Sequence, residues 1–328
     1  MMKMSMEPDK VTQFLEPEWT HYQTLFSNAI ASPYSLLTQI NSYLTINRGK
    51  QVRPILSLLS AKMFGAATPL SAVVAAVVEM VHTATLLHDD VADQSDMRRG
   101  ALTVQKLYSP WVSVLLGDFW LARAFQLLMD HGGESLLCYF ASAIRQMSEG
   151  ELFQVEKATC CNTTMEEYYQ IITKKTARLM AAGMVSGARS AGADDVQCAI
   201  IEQVGICLGV AFQIRDDILD YSPQIDTGKP SGHDLLEGKI TLPLLGALAQ
   251  APLEVRTKVE GVVRGLGLNP EHLPHIVDFV REYQGIEFAQ KAIEEKEMEA
   301  KTLLKQCPDN EARQHLENVV GYLSGRNR

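Results

Sequence analysis

The sequence lacks the patterns that mark several common kinds of functional site. Its six cysteines include no CxxC pair and its eight histidines no HxxxH pair, which argues against a zinc site or a redox dithiol. It also contains neither a GxxxxGK(S/T) loop nor a GxGxxG loop. The Gly-rich loops that hold nucleotide phosphates are therefore not predicted.

Excess positive charge and long apolar runs are also missing. The formal net charge is −9 at pH 7 and the sequence pI is about 5.4, which argues against nucleic acid as a partner. No apolar run of about 18 residues is free of Gly, Pro and charge, and the N-terminal MMKMSMEPDK contains no signal-peptide core. We expect a cytoplasmic protein without a transmembrane segment, whose cysteines stay reduced.

Strand-like alternation is rare, and apolar residues instead recur three and four positions apart, as in Leu56, Leu59 and Met63. This spacing is typical of amphipathic helices. No linker or internal repeat divides the chain, so we predict an all-α fold in a single domain, residues 1–328. The predicted helices cover 8–31, 33–46, 51–65, 69–94, 101–131, 134–159, 165–192, 194–221, 235–250, 252–266, 271–283, 286–306 and 309–324.

The predicted helix at 69–94 is apolar on nearly all sides before it becomes acidic at its end. A helix without a polar face is typically surrounded by other helices. Several of the predicted helices have about 25 residues and therefore extend nearly 40 Å. A bundle of long helices with charges at one end of its central members favours a deep central cavity with a polar mouth.

Two predicted helices end in the same acidic pattern, DDxxD. The aspartates are Asp89, Asp90 and Asp93 in the first motif and Asp216, Asp217 and Asp220 in the second. Residues four apart lie on one face of a helix, so each motif presents carboxylates together. Their charge meets the negative end of the helix dipole and needs a counter-charge. One such motif could be a solvated surface, but two that follow apolar helical runs favour a cation site.

Oxygen ligands without cysteine or paired histidine favour Mg²⁺. Because Mg²⁺ usually bridges carboxylates to substrate phosphates, we expect a phosphorylated ligand. Short basic clusters could bind its phosphates, although each of them alone is typical of a solvated surface. They contain Lys50 and Arg53, Arg98 and Arg99, Lys174 and Lys175, Lys229, and Lys239.

In kind and order, these motifs resemble those of the all-trans polyprenyl diphosphate synthases, the prenyltransferases that elongate isoprenoid chains. The resemblance runs from about Arg48 to Arg326, with one departure at the turn Tyr108-Ser109-Pro110. It rests on GKQVRP, EMVHTATLLHDDVAD, DMRRG, GDFWLARA, EGELFQ, KKTARL, FQIRDDILD and GKPSGHDLLEGKITLP. It implies the isoprenoid synthase fold, a homodimer, three Mg²⁺ ions, and condensation of isopentenyl diphosphate onto an allylic diphosphate.

The resemblance also implies a role for individual residues. Asp89 and Asp93 would bind two metal ions and Asp216 the third, with weaker contributions from Asp90, Asp217 and Asp220. The isopentenyl diphosphate site would contain Lys50, Arg53, His82 and Arg99, and the allylic diphosphate would be held by Arg98, Lys175, Lys229 and Lys239. Thr176 and Gln213 would lie near the allylic cation, whereas no role follows for His88.

The resemblance implies that product length is limited by side chains about one turn before the first motif, where short-chain members of the family typically have an aromatic ring. Ala84 and Thr85 are small, and Met80 lies one turn further from Asp89, so a growing chain could descend past them until Phe119, Trp120 or Phe125 stops it. We therefore expect a long-chain synthase, with products of about C35 to C50 centred on the octaprenyl C40. The alternatives are a shorter-chain synthase, a class I terpene cyclase, and a non-catalytic subunit of a heteromeric synthase.

Overall fold

The computed structural model describes residues 8–221, 232–265 and 270–324. The described residues are 80% helical, and the only strands among them are β1 (Met97–Arg98) and β2 (Ala101–Leu102). These strands pair antiparallel, with Met97 opposite Leu102. The all-α prediction is confirmed.

The helices of the described residues follow one another along the chain. They are α1 (Pro8–Phe14), α2 (Glu18–Ala29), α3 (Ser35–Ile46), α4 (Val52–Phe64), α5 (Pro69–Ala92), α6 (Val104–Leu107), α7 (Pro110–Asp130), α8 (Leu137–Cys160), α9 (Met165–Ile172), α10 (Arg178–Ser190), α11 (Asp195–Asp220), α12 (His233–Leu236), α13 (Leu242–Gln250), α14 (Leu253–Gly265), α15 (Leu273–Glu282), α16 (Gly285–Leu304) and α17 (Glu311–Ser324). Short 3₁₀ turns lie at Glu134–Leu136 and Pro270–His272, and a π turn at Thr173–Ala177 joins α9 to α10.

Four predicted helices are interrupted, and the one at 165–192 contains the π turn between α9 and α10. The segment 8–31 forms α1 and α2, because Pro17 cannot donate the hydrogen bond that would continue a helix. The segment 101–131 begins with strand β2, and α7 starts anew where Ser109 caps its first turn and Pro110 follows. The segment 235–250 is interrupted between α12 and α13.

The chain forms two compact units. The first comprises the described residues within Met1–Ser142, Leu179–Glu202 and Leu303–Val319, and the second those within Ala143–Arg178, Gln203–Thr302 and Val320–Arg328. The single domain expected for 1–328 and its deep central cavity stay predictions.

Helix α5 is the centre of the first unit. Every residue from Ser71 to Val81 is buried, and α5 packs against α2, α4 and α7. Helix α10 also approaches closely, because a Cβ atom at Gly183 would lie 2.8 Å from Cγ2 of Val78. The apolar surface on all sides of α5 is thus covered by neighbouring helices, as expected.

The second unit has a separate apolar core. Its buried residues come mainly from the C-terminal half of α11 and from α13, α15 and α16, and they include Ile214, Leu244, Phe279 and Ile293. This core supports the end of α11, where the second acidic motif lies.

Within the described ranges, three helices are long and apolar enough to cross a membrane by length and composition alone: α5, α7 and α11. In α5, 72% of the most apolar 18-residue window is buried inside the protein, whereas the corresponding share in α7 is 33%. The expected absence of a transmembrane segment and the cytoplasmic location therefore stay predictions.

Candidate active site

The first acidic motif forms the last turn of α5, and its three aspartates differ in exposure. Asp90 is buried, and its Oδ1 atom accepts a hydrogen bond from Nε of Arg98 at 2.5 Å. Its backbone oxygen accepts another from the amide of Gln105. Asp89 is half-buried and Asp93 is exposed. Asp90 therefore connects the end of α5 to the β1–β2 hairpin. Asp89 and Asp93, which lie four positions apart on one face of the helix, are nearer to solvent.

Arginine side chains surround the adjacent turns of α5. Burial lowers the pKa of His82 well below its usual value, and the positive charges of Arg53, Arg99 and Arg98 lower it further. His82 is thus neutral at pH 7 and can donate one hydrogen bond to an anion without adding a charge that burial would penalise. The four residues His82, Arg53, Arg98 and Arg99, all predicted to bind diphosphate, are therefore close enough to interact electrostatically.

A glycine shapes this basic cluster. A Cβ atom at Gly49 would lie 2.6 Å from the Cζ atom of Arg99, so glycine lets this guanidinium keep its present position, from which a larger residue would displace it. Arg99 has a φ of 54° and Gly100 a φ of 76°, the left-handed conformations that turn the hairpin back. Lys50, which follows Gly49, is exposed.

Glu79 and Arg48 also belong to this cluster, although neither was predicted. Burial raises the pKa of Glu79, while the charges of Arg53, Arg99 and Arg48 oppose that rise. Arg48 lies over the ring of Phe26, 4.1 Å from its centroid. Both residues line a cavity of about 60 Å³ together with Arg98, Arg99 and Trp120. One acid within an otherwise apolar helical run is a signal from which a buried ionic partner could have been predicted.

The second acidic motif ends α11 and contains a buried carboxylate at its centre. Asp217 is 3% exposed. Its Oδ2 atom accepts a hydrogen bond from the hydroxyl of Tyr168 at 2.6 Å, and its Oδ1 atom accepts one from Nε2 of Gln213 at 2.9 Å. Burial, followed by the charge of Asp234, raises the pKa of Asp217 to about 7, although both hydrogen bonds oppose the rise.

The other two aspartates of this motif are more accessible. Asp216 is exposed and Asp220 is half-buried. The side chain of Asp220 accepts a hydrogen bond from the backbone N–H of Asp234 at 3.2 Å, which brings a further carboxylate to the end of α11.

A π turn carries the predicted Lys175 and Thr176. Such turns inside helices are often found at functional sites. The Nζ atom of Lys175 donates to the amide oxygen of Gln154 at 2.8 Å and pairs with Glu151 at 2.5 Å. The hydroxyl of Thr176 donates to Oε1 of Gln213 at 2.7 Å.

Five predicted residues of the second unit share one cavity of about 90 Å³. They are Lys175, Thr176, Gln213, Asp217 and Lys239. Lys239 is paired with Glu237 at 2.6 Å, and Asp234 and Tyr168 also line the cavity. The predicted Lys229 lies outside the described residues. Carboxylates and lysines around a small cavity form an arrangement that suits a metal-bound phosphorylated ligand.

Comparison with known proteins agrees with this chemistry. The family model for polyprenyl synthetase matches residues 34–278. The chain belongs to this family. Its predicted class, an all-trans polyprenyl diphosphate synthase and hence a prenyltransferase, is confirmed.

Individual relatives cover almost the whole chain. The protein is 33% identical to the octaprenyl diphosphate synthase of Haemophilus influenzae over 324 residues, which is 97% of each chain. It is 36% identical to an all-trans-nonaprenyl-diphosphate synthase (geranyl-diphosphate specific) of Rhodobacter capsulatus over 296 residues, 90% of each chain. A solved polyprenyl synthase of Caulobacter crescentus, complexed with calcium and isoprenyl diphosphate, superimposes with a TM-score of 0.90 at 31% identity, over 98% of each chain.

Family membership also bears on the metal and the substrates. Members of the family use a divalent metal, and their substrates are isoprenoid diphosphates. Among the described residues, no three His, Cys, Asp or Glu side chains form a ready cluster for a metal ion. The oxygen donors at Asp89, Asp93 and Asp216 nevertheless fit Mg²⁺, because this ion takes one or two protein carboxylates and completes its shell with water and substrate phosphate. Burial raises the pKa of Asp217, and the nearby negative charges of Asp234 and Asp216 raise it further.

His88, for which no role was predicted, contacts the Gly117-Asp118 pair of α7. Its Nε2 atom lies 3.3 Å from Oδ1 of Asp118. A Cβ atom at position 117 would lie 2.3 Å from the same nitrogen, so glycine allows the approach. The contact joins the end of α5 to α7, next to Asp89.

The residues predicted to control product length differ in exposure. Ala84 and Met80 are fully buried in α5. Thr85 is half-buried, and its hydroxyl donates to the backbone oxygen of His82 at 2.9 Å. Of the three aromatic residues that could end the tunnel, Trp120 is buried and donates to Oδ1 of Asn41 at 3.0 Å. Phe119 and Phe125 are half-buried.

Proposed function

We propose that this synthase condenses isopentenyl diphosphate repeatedly onto an allylic diphosphate such as farnesyl diphosphate, and releases products of about C35 to C50, centred on C40. The observation that carries the proposal is that each acidic motif lies near cationic side chains of its own unit: Asp90 accepts a hydrogen bond from Arg98, and Asp217 lines one cavity with Lys175 and Lys239. Relatives that make octaprenyl and nonaprenyl chains support the length.

In the first unit, Arg53, Arg99 and neutral His82 would bind the diphosphate of isopentenyl diphosphate, assisted by exposed Lys50. Guanidinium groups match phosphate oxygens with two parallel hydrogen bonds. Glu79 would hold these arginines in place, since a buried carboxylate next to several guanidinium groups limits their rotation.

Lys175 and Lys239 would bind the allylic diphosphate, a role that the resemblance to the family also gives to Arg98 and Lys229. We propose that Asp89, Asp93 and Asp216 hold three Mg²⁺ ions, with weaker contributions from Asp90, Asp217 and Asp220. When bound, Mg²⁺ would neutralise the charge that develops on the departing diphosphate.

The bond changes require little acid–base chemistry from the protein. The allylic C–O bond breaks and its electron pair leaves with diphosphate, which creates an allylic cation. The double bond of isopentenyl diphosphate then forms the new C–C bond, and the released diphosphate accepts the proton that is lost. Thr176 and Gln213 would stabilise the cation through oxygen lone pairs.

Product analysis tests the proposal directly. Purified protein with Mg²⁺, farnesyl diphosphate and isopentenyl diphosphate is expected to give about C35 to C50 chains by chromatography. Products no longer than C20 would identify a shorter-chain synthase. Cyclic hydrocarbon formed without isopentenyl diphosphate would identify a terpene cyclase, and a failure to consume either substrate would indicate a non-catalytic subunit.

The two diphosphate sites should separate in steady-state kinetics. Arg53→Ala is expected to raise KM for isopentenyl diphosphate on the order of 10-fold or more, because it removes a charged hydrogen-bond donor. Lys239→Ala should raise KM mainly for the allylic substrate. Each variant is the control for the other, and a reversed pattern would show that the two sites are assigned the wrong way round.

We also propose a homodimer that forms through α7. Trp111, Val114 and Leu115 lie at helical spacing on α7 and are 66%, 38% and 57% exposed. An apolar stripe of this kind is typical of a surface that a second subunit covers. Light scattering should give twice the mass of one chain, and Leu115→Glu should shift the mass toward a monomer. Leu253→Glu, at an exposed leucine of α14, should leave the mass unchanged, whereas a monomeric wild type would contradict the proposal.

A further inference from the structure

Tyr168 reaches the second acidic motif from a separate helix. A capping box fixes the start of α9, in which Thr164 accepts from the backbone N–H of Glu167 and the Glu167 side chain accepts from that of Thr164. Tyr168 follows at once and is 3% exposed. Its hydroxyl donates to Asp217 at 2.6 Å. The resemblance to the synthases gave no role to this side chain.

From Thr176, the hydrogen bonds are donated toward Asp217: Thr176 donates to Gln213, and Gln213 donates to Asp217. Both carboxylate oxygens accept, one from Tyr168 and the other from Nε2 of Gln213. Because the amide nitrogen faces Asp217, the amide oxygen Oε1 faces the other way and accepts the proton of Thr176 at 2.7 Å. The carboxylate of Asp217 can only accept a hydrogen bond, so it fixes the Gln213 amide with its nitrogen toward Asp217 and its oxygen toward Thr176.

The direction of these hydrogen bonds determines whether Thr176 presents a proton or a lone pair to a ligand. Its only hydroxyl proton is used by Gln213, so the lone pairs of Oγ1 are what remain for another partner. All four side chains line the same cavity of about 90 Å³. A lone pair stabilises a neighbouring cation, whereas an O–H pointing at the same place would oppose it.

We propose that Tyr168 is a positioning residue that acts through Asp217 and Gln213 to fix the Thr176 hydroxyl with its lone pairs toward the allylic cation. This inference rests on the proposed function, because it names a group that orients the oxygen next to the reacting carbon. In this role Tyr168 acts through its hydrogen bond to Asp217.

Tyr168→Phe tests the inference because it keeps the ring and removes only the hydroxyl. We expect kcat to fall on the order of 10-fold, with KM for both substrates and the product length nearly unchanged, since the orientation matters when the cation forms. Tyr169→Phe is the matched control. Its ring packs edge-on against that of Tyr168 at 5.5 Å, but it is not part of the hydrogen-bond chain, and its activity should equal that of the wild type.

A double-mutant cycle with Thr176→Val identifies the path of the effect. If Tyr168 acts through the Thr176 hydroxyl, Tyr168→Phe should lower kcat little further once that hydroxyl is absent. A full additional 10-fold loss in the Thr176→Val background would overturn the inference, as would an unchanged kcat in Tyr168→Phe alone. Matching melting temperatures for Tyr168→Phe and Tyr169→Phe would exclude general unfolding as the cause.

Ligand binding gives a readout without turnover. A diphosphate analogue with an ammonium nitrogen at the position of the allylic cation should bind Tyr168→Phe about 10-fold more weakly than the wild type in calorimetry. An uncharged, unreactive allylic analogue should bind both proteins equally, and equal binding of both analogues would contradict the inference. If the wild type transfers no prenyl group, the proposed function fails. If the wild type is active and Tyr168→Phe matches it in both assays, only this inference fails.

Discussion

Asp89→Asn and Asp216→Asn are each expected to lower kcat on the order of 100-fold or more. Each substitution keeps the side-chain volume but removes one negative charge from the proposed metal site. Because Asp89 is half-buried and Asp216 is exposed, neither change should destabilise the fold strongly, so the loss should be specific to catalysis. Steady-state kinetics at saturating substrate and Mg²⁺ measures the effect.

Asp278→Asn provides the matched control. Asp278 lies on α15, and 74% of its side chain is exposed, so this variant should keep wild-type turnover. Excess EDTA should abolish the activity of wild type and control alike, and added Mg²⁺ should restore it. Full turnover in EDTA would contradict metal dependence, and near-normal turnover of Asp89→Asn or Asp216→Asn would remove that residue from the metal site.

Local sequence patterns predicted the features that depend on neighbours in the chain. The all-round apolar character of α5 placed it at the centre of its unit, because such a helix can be stable only when other helices cover it. The same reasoning placed the aspartates of both motifs at helix ends. Helix breaks were less predictable: the hairpin at 97–102 depends on left-handed conformations at Arg99 and Gly100, which helical spacing does not reveal.

Long-range partners were beyond the reach of sequence patterns. Tyr168 meets Asp217 across 49 positions of the chain, and nothing in the spacing of either residue indicates the contact. The π turn at Thr173–Ala177 is similar, since it fits beside α11 only because Gly209 has no side chain: a Cβ atom there would lie 2.4 Å from Cα of Ala177. Such contacts follow from packing between helices and not from the pattern of one helix.

Ala84→Phe is expected to shorten the product from about C40 to C20 or less. Ala84 lies on α5 slightly more than one turn before Asp89, and it is fully buried. Each isoprene unit lengthens the product by roughly 4–5 Å, close to one helical turn. A phenyl ring one turn below the metal site would therefore block the chain after the first few additions while leaving the diphosphate sites intact. Chromatography of the products measures the change.

Because a phenyl group at a fully buried alanine can strain the core, Thr85→Phe provides a second variant at a half-buried position. At least one of the two should fold with a melting temperature near that of the wild type and still consume farnesyl or shorter primers. Ala199→Phe, at an exposed alanine of α11, should leave product length unchanged. If folded, active variants at both positions still make the wild-type product, the growing isoprenoid does not pass this turn of α5. The small side chains at 84 and 85 would then have no part in the length of the product.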